Sequence, residues 1–457
     1  MPRKSTAKKK SPSATKQTKK KAWVVAVDMG YGHQRAAYPL KHLAHKQILN
    51  ANKYVGIPQK DRKIWEDGRS LYEKISRMKR LPLVGSAIFG VMDYMQRIEP
   101  FYPKRDLSKP SAQLKQIYWL MKKGWGKHLI EMLNKDSRPL ICTFFTPAYF
   151  AEFHGYRGEI FSLTTDADVS RAWAPLVPKT SRIKYLVPNI RVAERMQLYG
   201  IKKENIFLTG FPLPTENIGS VSGEIMKKDL GKRLCNLDPR GIFHRKYEHS
   251  LHYYLGQGFC PSSAGRVTTL TFAVGGAGAQ RELGREILMS MKKLIQRGII
   301  RLNLVAGTRK EVENYFHDAV VEAGLKPQLG TGVKIISHPK KYTYFAQFNR
   351  VLRTTDILWT KPSELVFYTA LGLPIIMSSP IGSQEHFNRE WLQSLGSGIH
   401  QLEARYTHEW LVDWIHSGWI AEAAFNGFLD ASAMGTYNIE SVVLHGKRSE
   451  VHEVHLW

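Results

Sequence analysis

TDILWTKPSELVFYTALGLPIIMS, residues 355–378, decides the fold. Two apolar runs, TDILWT (355–360) and LPIIMS (373–378), flank a Lys361-Pro362 break and a short stretch of helical character. Strand, turn, helix and strand in that order form the repeating unit of a parallel sheet. Upstream the same rhythm recurs in VTTLTFAV (267–274), IIRLNLVAG (299–307) and VKIIS (333–337), each separated by a helical segment. An earlier set of strands is predicted at 22–27, near 139–145, at 158–164, 183–187 and 206–209, with helical periodicity at 34–48, 113–133 and 190–199. The expectation is an α/β chain with two doubly wound, Rossmann-like sheets. GFPLPTENIGSVSG (210–223) is the turn-rich break between them. The predicted organisation is a basic tail (1–21), a first domain (22–213), a linker with a helical insertion (214–265), a second domain (266–430) and a C-terminal extension (431–457).

At 457 residues and 43% hydrophobic composition the chain can bury more than one core. No window offers 18 consecutive apolar residues, and the lysine-rich start lacks the apolar core of a signal peptide, so no membrane-spanning segment is expected. Cys142, Cys235 and Cys260 are odd in number and far apart, which predicts neither a disulfide framework nor a zinc site and fits a reducing cytoplasm. The formal charge is +28, and nine of the cations lie in MPRKSTAKKKSPSATKQTKKK, a segment with almost nothing apolar to bury and hence expected to be disordered. Without those nine, the remainder still carries +19. Such a balance attracts a polyanion, either nucleic acid or an anionic membrane face.

Ligands of open α/β sheets bind beyond the carboxyl ends of the strands. Both glycine clusters fall there. MGYGHQRAA (29–37) follows the first strand, with Gly30, Tyr31 and Gly32 leading into His33; Gly275, Gly276, Ala277, Gly278, Ala279 and Gln280 follow the strand at 267–274. The second cluster has neither the G-K-[ST] of a P-loop nor the G-x-G-x-x-G dinucleotide pattern. Small residues at a helix start let a phosphate approach backbone N–H groups, and close helix–strand packing is the alternative use.

The third cluster, Thr360-Lys361-Pro362-Ser363-Glu364, is followed by Gly372-Leu373-Pro374 and then by Gln384-Glu385-His386-Phe387-Asn388. With the histidine-bearing glycine loop, the glycine loop of the second domain, Thr164-Thr165-Asp166 with Trp173, YLVPN (185–189) and ENIFLTGFPL (204–213), the chain resembles the GT-B glycosyltransferases over residues 23–395. These include monogalactosyldiacylglycerol synthases, bacterial diacylglycerol glucosyltransferases and the peptidoglycan N-acetylglucosaminyltransferase. Relatives commonly carry a glycine triplet before the histidine; Tyr31 here is expected to narrow the loop mouth. They also read T-K-P-G-G with a later ribose-holding glutamate. Here Phe367 and Tyr368 occupy that neighbourhood, and Glu364 is the candidate replacement, because one carboxylate can accept two hydroxyls.

The resemblance implies a sugar transferred from a nucleotide sugar, with UDP as the expected nucleotide, to a membrane lipid or lipid-linked hydroxyl, with inversion. The nucleotide sugar is a substrate, and neither cofactor nor metal is expected. His33 is the candidate base, the alternative being a helix cap. Asp166 is expected to orient His33 or an acceptor hydroxyl, whereas Asp166-Ala167-Asp168 has the D-x-D spacing that binds metal in a different fold. Gly275, Gly276, Ala277, Gly278, Gln280, Lys361, Pro362, Ser363, Glu364, Gln384 and Glu385 form the candidate donor site. Lys361 could equally end a strand, and Gln384 and Glu385 could equally be an exposed helix start.

Residues 61–133 mix large aromatics with Lys and Arg, as core helices do and as a helix in an anionic headgroup layer does. EWLVDWIHSGWIAEAAFNGFL (409–429) resembles the final helices that cross back to brace both domains, with an exposed Trp-rich surface as the competing view. The expected location is peripheral, on the cytoplasmic face of a membrane, with no specific nucleic-acid partner. The alternatives are a nucleotide-sugar epimerase of the same fold and a non-catalytic protein that binds nucleotide sugar or polyanion.

Overall fold

A computed structural model describes residues 21–78, 97–260, 267–275, 278, 280–380 and 383–447. The tail apart from Lys21, residues 79–96 of the aromatic-basic region, Gly276 and Ala277 of the donor loop, and residues 448–457 of the extension lie outside them. Two six-stranded parallel sheets organise the chain. The first comprises β1 (Trp23–Ala26), β2 (Leu49–Asn50), β3 (Leu140–Cys142), β4 (Ile160–Leu163), β5 (Lys184–Val187) and β6 (Ile206–Leu208), in the order β2-β1-β3-β4-β5-β6. The second comprises β7 (Thr268–Ala273), β8 (Ile300–Gly307), β9 (Val333–Ser337), β10 (Ile357–Thr360), β11 (Ile375–Met377) and β12 (Gly398–His400), in the order β12-β11-β10-β7-β8-β9. In the deciding stretch Leu358 pairs with Ile375 and with Thr271, so TDILWT is a central strand. Every residue of β3, β4, β10 and β11 is buried, as expected of strands covered by helices on both faces.

Local structure departs from the expected pattern where a backbone device intervenes. The periodicity at 34–48 yields only α1 (Gly32–Ala37) and a 3₁₀ turn, Tyr38–His42, because Pro39 supplies no N–H to continue an α-helix. The span 113–133 is two helices, Ala112–Lys122 and Lys127–Leu133, separated by Gly124 and Gly126 at φ +94° and +83°. A Cβ at Gly126 would overlap the Phe150 ring. Edge strands β2 and β12, of two and three residues, are too short to show as apolar runs.

The region after the linker does form helices, Glu224–Leu237 and Ile242–Leu255, and they serve the second domain. Arg233 is buried and donates to the carbonyls of Thr355, Leu371 and Gly372, each at 2.9 Å, tying together the two ends of the deciding stretch. Cys235 and Cys260 are joined by a disulfide with S–S 2.07 Å, which corrects the expectation of none. The intervening helix Ile242–Leu255 returns the chain to the helix Glu224–Leu237, so 25 residues of separation close to a Cα–Cα distance of 5.8 Å. Cys142 is free and buried in β3.

The crossing back to the first domain also falls later than expected. Helices Thr407–His416 and Trp419–Asp430 bury Trp410, Leu411, Ile420 and Phe425 in the second domain's core. The bracing element is instead Gly435–His445, where Thr436 Oγ1 donates to Leu213 O at 2.6 Å and Asn438 Nδ2 to Thr209 O at 2.9 Å.

Candidate active site in the interdomain cleft

Strand order reverses between β1 and β3 in the first sheet and between β7 and β10 in the second. These switch points open crevices at the strand carboxyl ends. The loops after β1, β7 and β10 are the three motif-bearing segments. After β1 the chain turns at Gly30, φ +123°, a conformation a side chain would strain, and enters α1 at Gly32. A Cβ on Gly32 would lie 3.6 Å from Glu364 Oε2, so the first glycine loop faces the segment after β10 directly.

His33 is half-buried beside Phe144, with ring centroids 4.6 Å apart. Its Nδ1 is 3.3 Å from Thr165 Oγ1, and its backbone carbonyl accepts from Thr143 Oγ1 at 2.8 Å. Burial pulls the imidazole down to about 4, against the opposing influence of Thr143 and the negative Glu364. The ring is therefore neutral at physiological pH, able to accept a proton but a weaker base than an imidazole of ordinary pKa.

Thr165, rather than Asp166, is the side chain hydrogen-bonded to His33. Asp166 accepts from Asn388 Nδ2 at 3.0 Å, and Asn388 Oδ1 in turn accepts from Ala167 N at 2.7 Å. Burial pushes Asp166 up to about 6, against the Asn388 hydrogen bond, with Glu364 and Glu385 adding to the rise and Lys361 opposing it. Asp168 is turned elsewhere: Arg195 grips it in a two-point contact at 2.9 and 2.8 Å, and Arg191 adds a third bond at 3.2 Å. The two carboxylates of the D-x-D therefore do not act as a pair. Among the described residues no group of three or more His, Cys, Asp and Glu side chains is arranged to hold a metal ion.

On the opposite wall, Lys361 lies against Gly275, its Cε 2.7 Å from where a Cβ there would stand, and its ammonium pairs with Glu385. Gln280 caps the helix Arg281–Gln296 in the left-handed region at φ +68°. Its side chain bridges to Ser378 Oγ at 2.7 Å and Ser379 O at 3.1 Å, which fixes the donor loop to the end of β11. Gly278 is also left-handed, at φ +72°. Pro362 O accepts from Asn388 at 3.2 Å, and Ser363 N closes a tight turn onto Lys361 O at 2.8 Å. Gln384 and Glu385 begin the helix Ser383–Ser394. Glu364 contacts Arg35 Nε at 3.2 Å across the cleft, so its carboxylate already has a cationic partner.

Tyr31 reaches beyond its own loop. Its side chain reaches the second domain, where its hydroxyl accepts from Thr308 N at 2.8 Å and lies 2.9 Å from Thr308 Oγ1. Thr165, Asn388 and Arg35 were visible only as neighbours within quoted motifs, and Thr308 carried no local signal. In the aromatic-basic region, Trp65 and Trp125 are core residues, whereas Trp119 is half exposed with Lys123 Nζ 3.7 Å from its ring centroid. No helix among the described residues is long and apolar enough to cross a membrane.

Two Rossmann-like domains with their switch-point loops facing one another define the GT-B architecture. The chain is similar to the processive diacylglycerol beta-glucosyltransferase of Bacillus subtilis (strain 168), with 19% identity over 389 residues, 84% of this chain and 83% of that one. Among solved structures, Acinetobacter baumannii MurG aligns with a TM-score of 0.47 at 10% identity, covering 93% of this chain and 99% of its own. The S. aureus MnaA–UDP co-structure aligns with a TM-score of 0.46 at 10% identity, covering 94% and 97%. No family model matches the chain.

Proposed function

We propose that this chain is a glycosyltransferase that moves a sugar from a UDP-sugar to a hydroxyl of a membrane lipid or lipid-linked acceptor, with inversion. The observation that carries the proposal is that the His33 loop of the first domain faces Glu364 of the second at Gly32 and Asp166 is bonded to Asn388, while Lys361 lies against Gly275 and pairs with Glu385. Similarity to a diacylglycerol glucosyltransferase across most of both chains supports the lipid acceptor. His33 takes the acceptor proton as the acceptor oxygen bonds to the anomeric carbon, and the bond from that carbon to the diphosphate breaks. The leaving diphosphate is received by backbone N–H groups at the start of the helix Arg281–Gln296 and by the Lys361 ammonium. The carboxylates Glu364 and Glu385 are the candidates for ribose hydroxyls.

A thermal-shift screen with UDP, GDP and their sugars tests the donor. UDP compounds are expected to raise the melting temperature, by about 2.7 kcal/mol of added stability at a concentration 100 times Kd. UDP release is then expected only when vesicles containing diacylglycerol are supplied. Absence of any nucleotide-dependent shift rejects the donor site, and sugar epimerisation without an acceptor assigns the chain to the epimerase alternative.

Attachment to the membrane is proposed to be peripheral and to draw on the basic tail. Each Lys or Arg near an anionic surface contributes about 1 kcal/mol at most, weakened by salt. Deleting residues 1–21 is expected to weaken cosedimentation with phosphatidylglycerol liposomes without abolishing it, because exposed Trp119 with its neighbour Lys123, and exposed Tyr102, remain. Indifference of the intact chain to such liposomes, with tight RNA or DNA binding at physiological salt, would assign the tail to a nucleic acid.

A further inference from the structure

His33 sits in α1, a helix of six residues, too short to be rigid by its own hydrogen bonds. Thr143 and Thr165 of the first domain hold its carbonyl and ring, and on both sides of His33 α1 and its loop also touch the second domain. Before it, Asp28 pairs with Lys341, and the Tyr31 hydroxyl binds Thr308. Tyr31 lies so close to Gly307 that a Cβ there would come within 2.5 Å of its hydroxyl, and Gly307 is left-handed at φ +72°. After it, Arg35 is buried, with Nε 3.2 Å from Glu364 Oε1 and Nη2 3.2 Å from Tyr344 OH. The guanidinium stands 4.7 Å from the ring centroids of both Phe345 and Phe348. A charge so enclosed is tolerated only while it is paired, so these contacts hold only when the domains are together.

We propose that Tyr31 and Arg35 are positioning residues that transmit the approach of the two domains to His33, setting the base in the cleft only when the second domain is docked. The proposal rests on the glycosyltransferase assignment for what His33 does once placed. Loss of placement lowers turnover far more than donor affinity, because a small displacement from the reacting geometry is costly while the donor loop is untouched.

The test uses the full-length chain with Tyr31→Phe, Arg35→Met and Arg35→Lys. Tyr31→Phe and Arg35→Met are each expected to lower kcat at least tenfold, Tyr31→Phe with the donor KM within threefold of the parent, and Arg35→Lys is expected to restore part of the Arg35→Met loss. A second readout needs no turnover: the rate of diethylpyrocarbonate modification of His33, followed by peptide mass spectrometry, with exposed His249 as internal reference. His33 is expected to react several-fold faster in Arg35→Met while His249 is unchanged. Unchanged His33 reactivity in both Tyr31→Phe and Arg35→Met overturns the proposal, as does equal acceleration of both histidines, which reports general loosening. If the parent chain turns over no nucleotide sugar, the functional assignment fails separately, and the modification rates still decide whether Tyr31 and Arg35 hold His33.

Discussion

Replacing His33 by alanine is expected to lower turnover by roughly 10²- to 10⁴-fold, the usual contribution of a positioned general base, while UDP affinity changes little. The separation follows from the geometry. His33 belongs to the first domain and is held by Thr165 and Thr143, whereas Gly275, Gln280 and Lys361 belong to the second. Steady-state kinetics with saturating lipid, paired with UDP titration by calorimetry, measures both quantities. Near-parental turnover in the variant rejects His33 as the base. The same substitution carries a pH signature in stability. The folded imidazole, pulled down to about 4, lies below its ordinary value of 6.5, so protonation favours the unfolded chain. His33 thus erodes stability as pH falls from about 6.5 towards 4 and has no such effect above that window. Alanine at position 33 is expected to remove that part of the acid sensitivity.

Arg195→Ala is expected to destabilise the first domain by about 3–5 kcal/mol, since it strips Asp168 of its principal partner inside the protein. Side-chain exposures of Arg195 and Asp168 are 0% and 1%, so the carboxylate would be left buried without its guanidinium. Arg195 also packs its charge 5.0 Å from the Phe101 ring centroid. Arg191 retains one bond to Asp168, which puts the expected loss at the lower end of that range. Urea denaturation followed by circular dichroism checks it, and replacing Asp168 as well, by Asn, is expected to recover part of the loss by removing the stranded charge. A single variant as stable as the parent would restore Asp168 as a free member of the D-x-D.

Several features of this protein could be read from the chain one segment at a time. Strands covered on both faces must be apolar throughout, so β7, β8, β10 and β11 stand out as runs such as VTTLTFAV and TDILWT. Their alternation with helices fixes a parallel topology, and the topology fixes which loops meet at the strand carboxyl ends. The glycine before His33 and the small residues before Gln280 were legible for the same reason: backbone conformation and close approach leave a local trace. Edge strands β2 and β12 left none, because two or three residues carry no pattern.

Partnerships across the cleft were decided only by the tertiary structure. Arg35 and Glu364 are 329 positions apart, Tyr31 and Thr308 are 277 apart, and Asp166 and Asn388 are 222 apart. No periodicity spans such distances, and each residue taken alone is an ordinary polar side chain. The return of Gly435–His445 to the first domain is of the same kind, and the disulfide between Cys235 and Cys260, though local, follows only from how the helix between them folds back. Sequence determined the two sheets and the chemical groups at their carboxyl ends, because these follow from local burial and backbone geometry. Which group faces which across the cleft depends on how the two domains dock, and that is set by side-chain packing between surfaces distant in the chain, whereas Thr165 rather than Asp166 at His33 is set by the first domain's own fold.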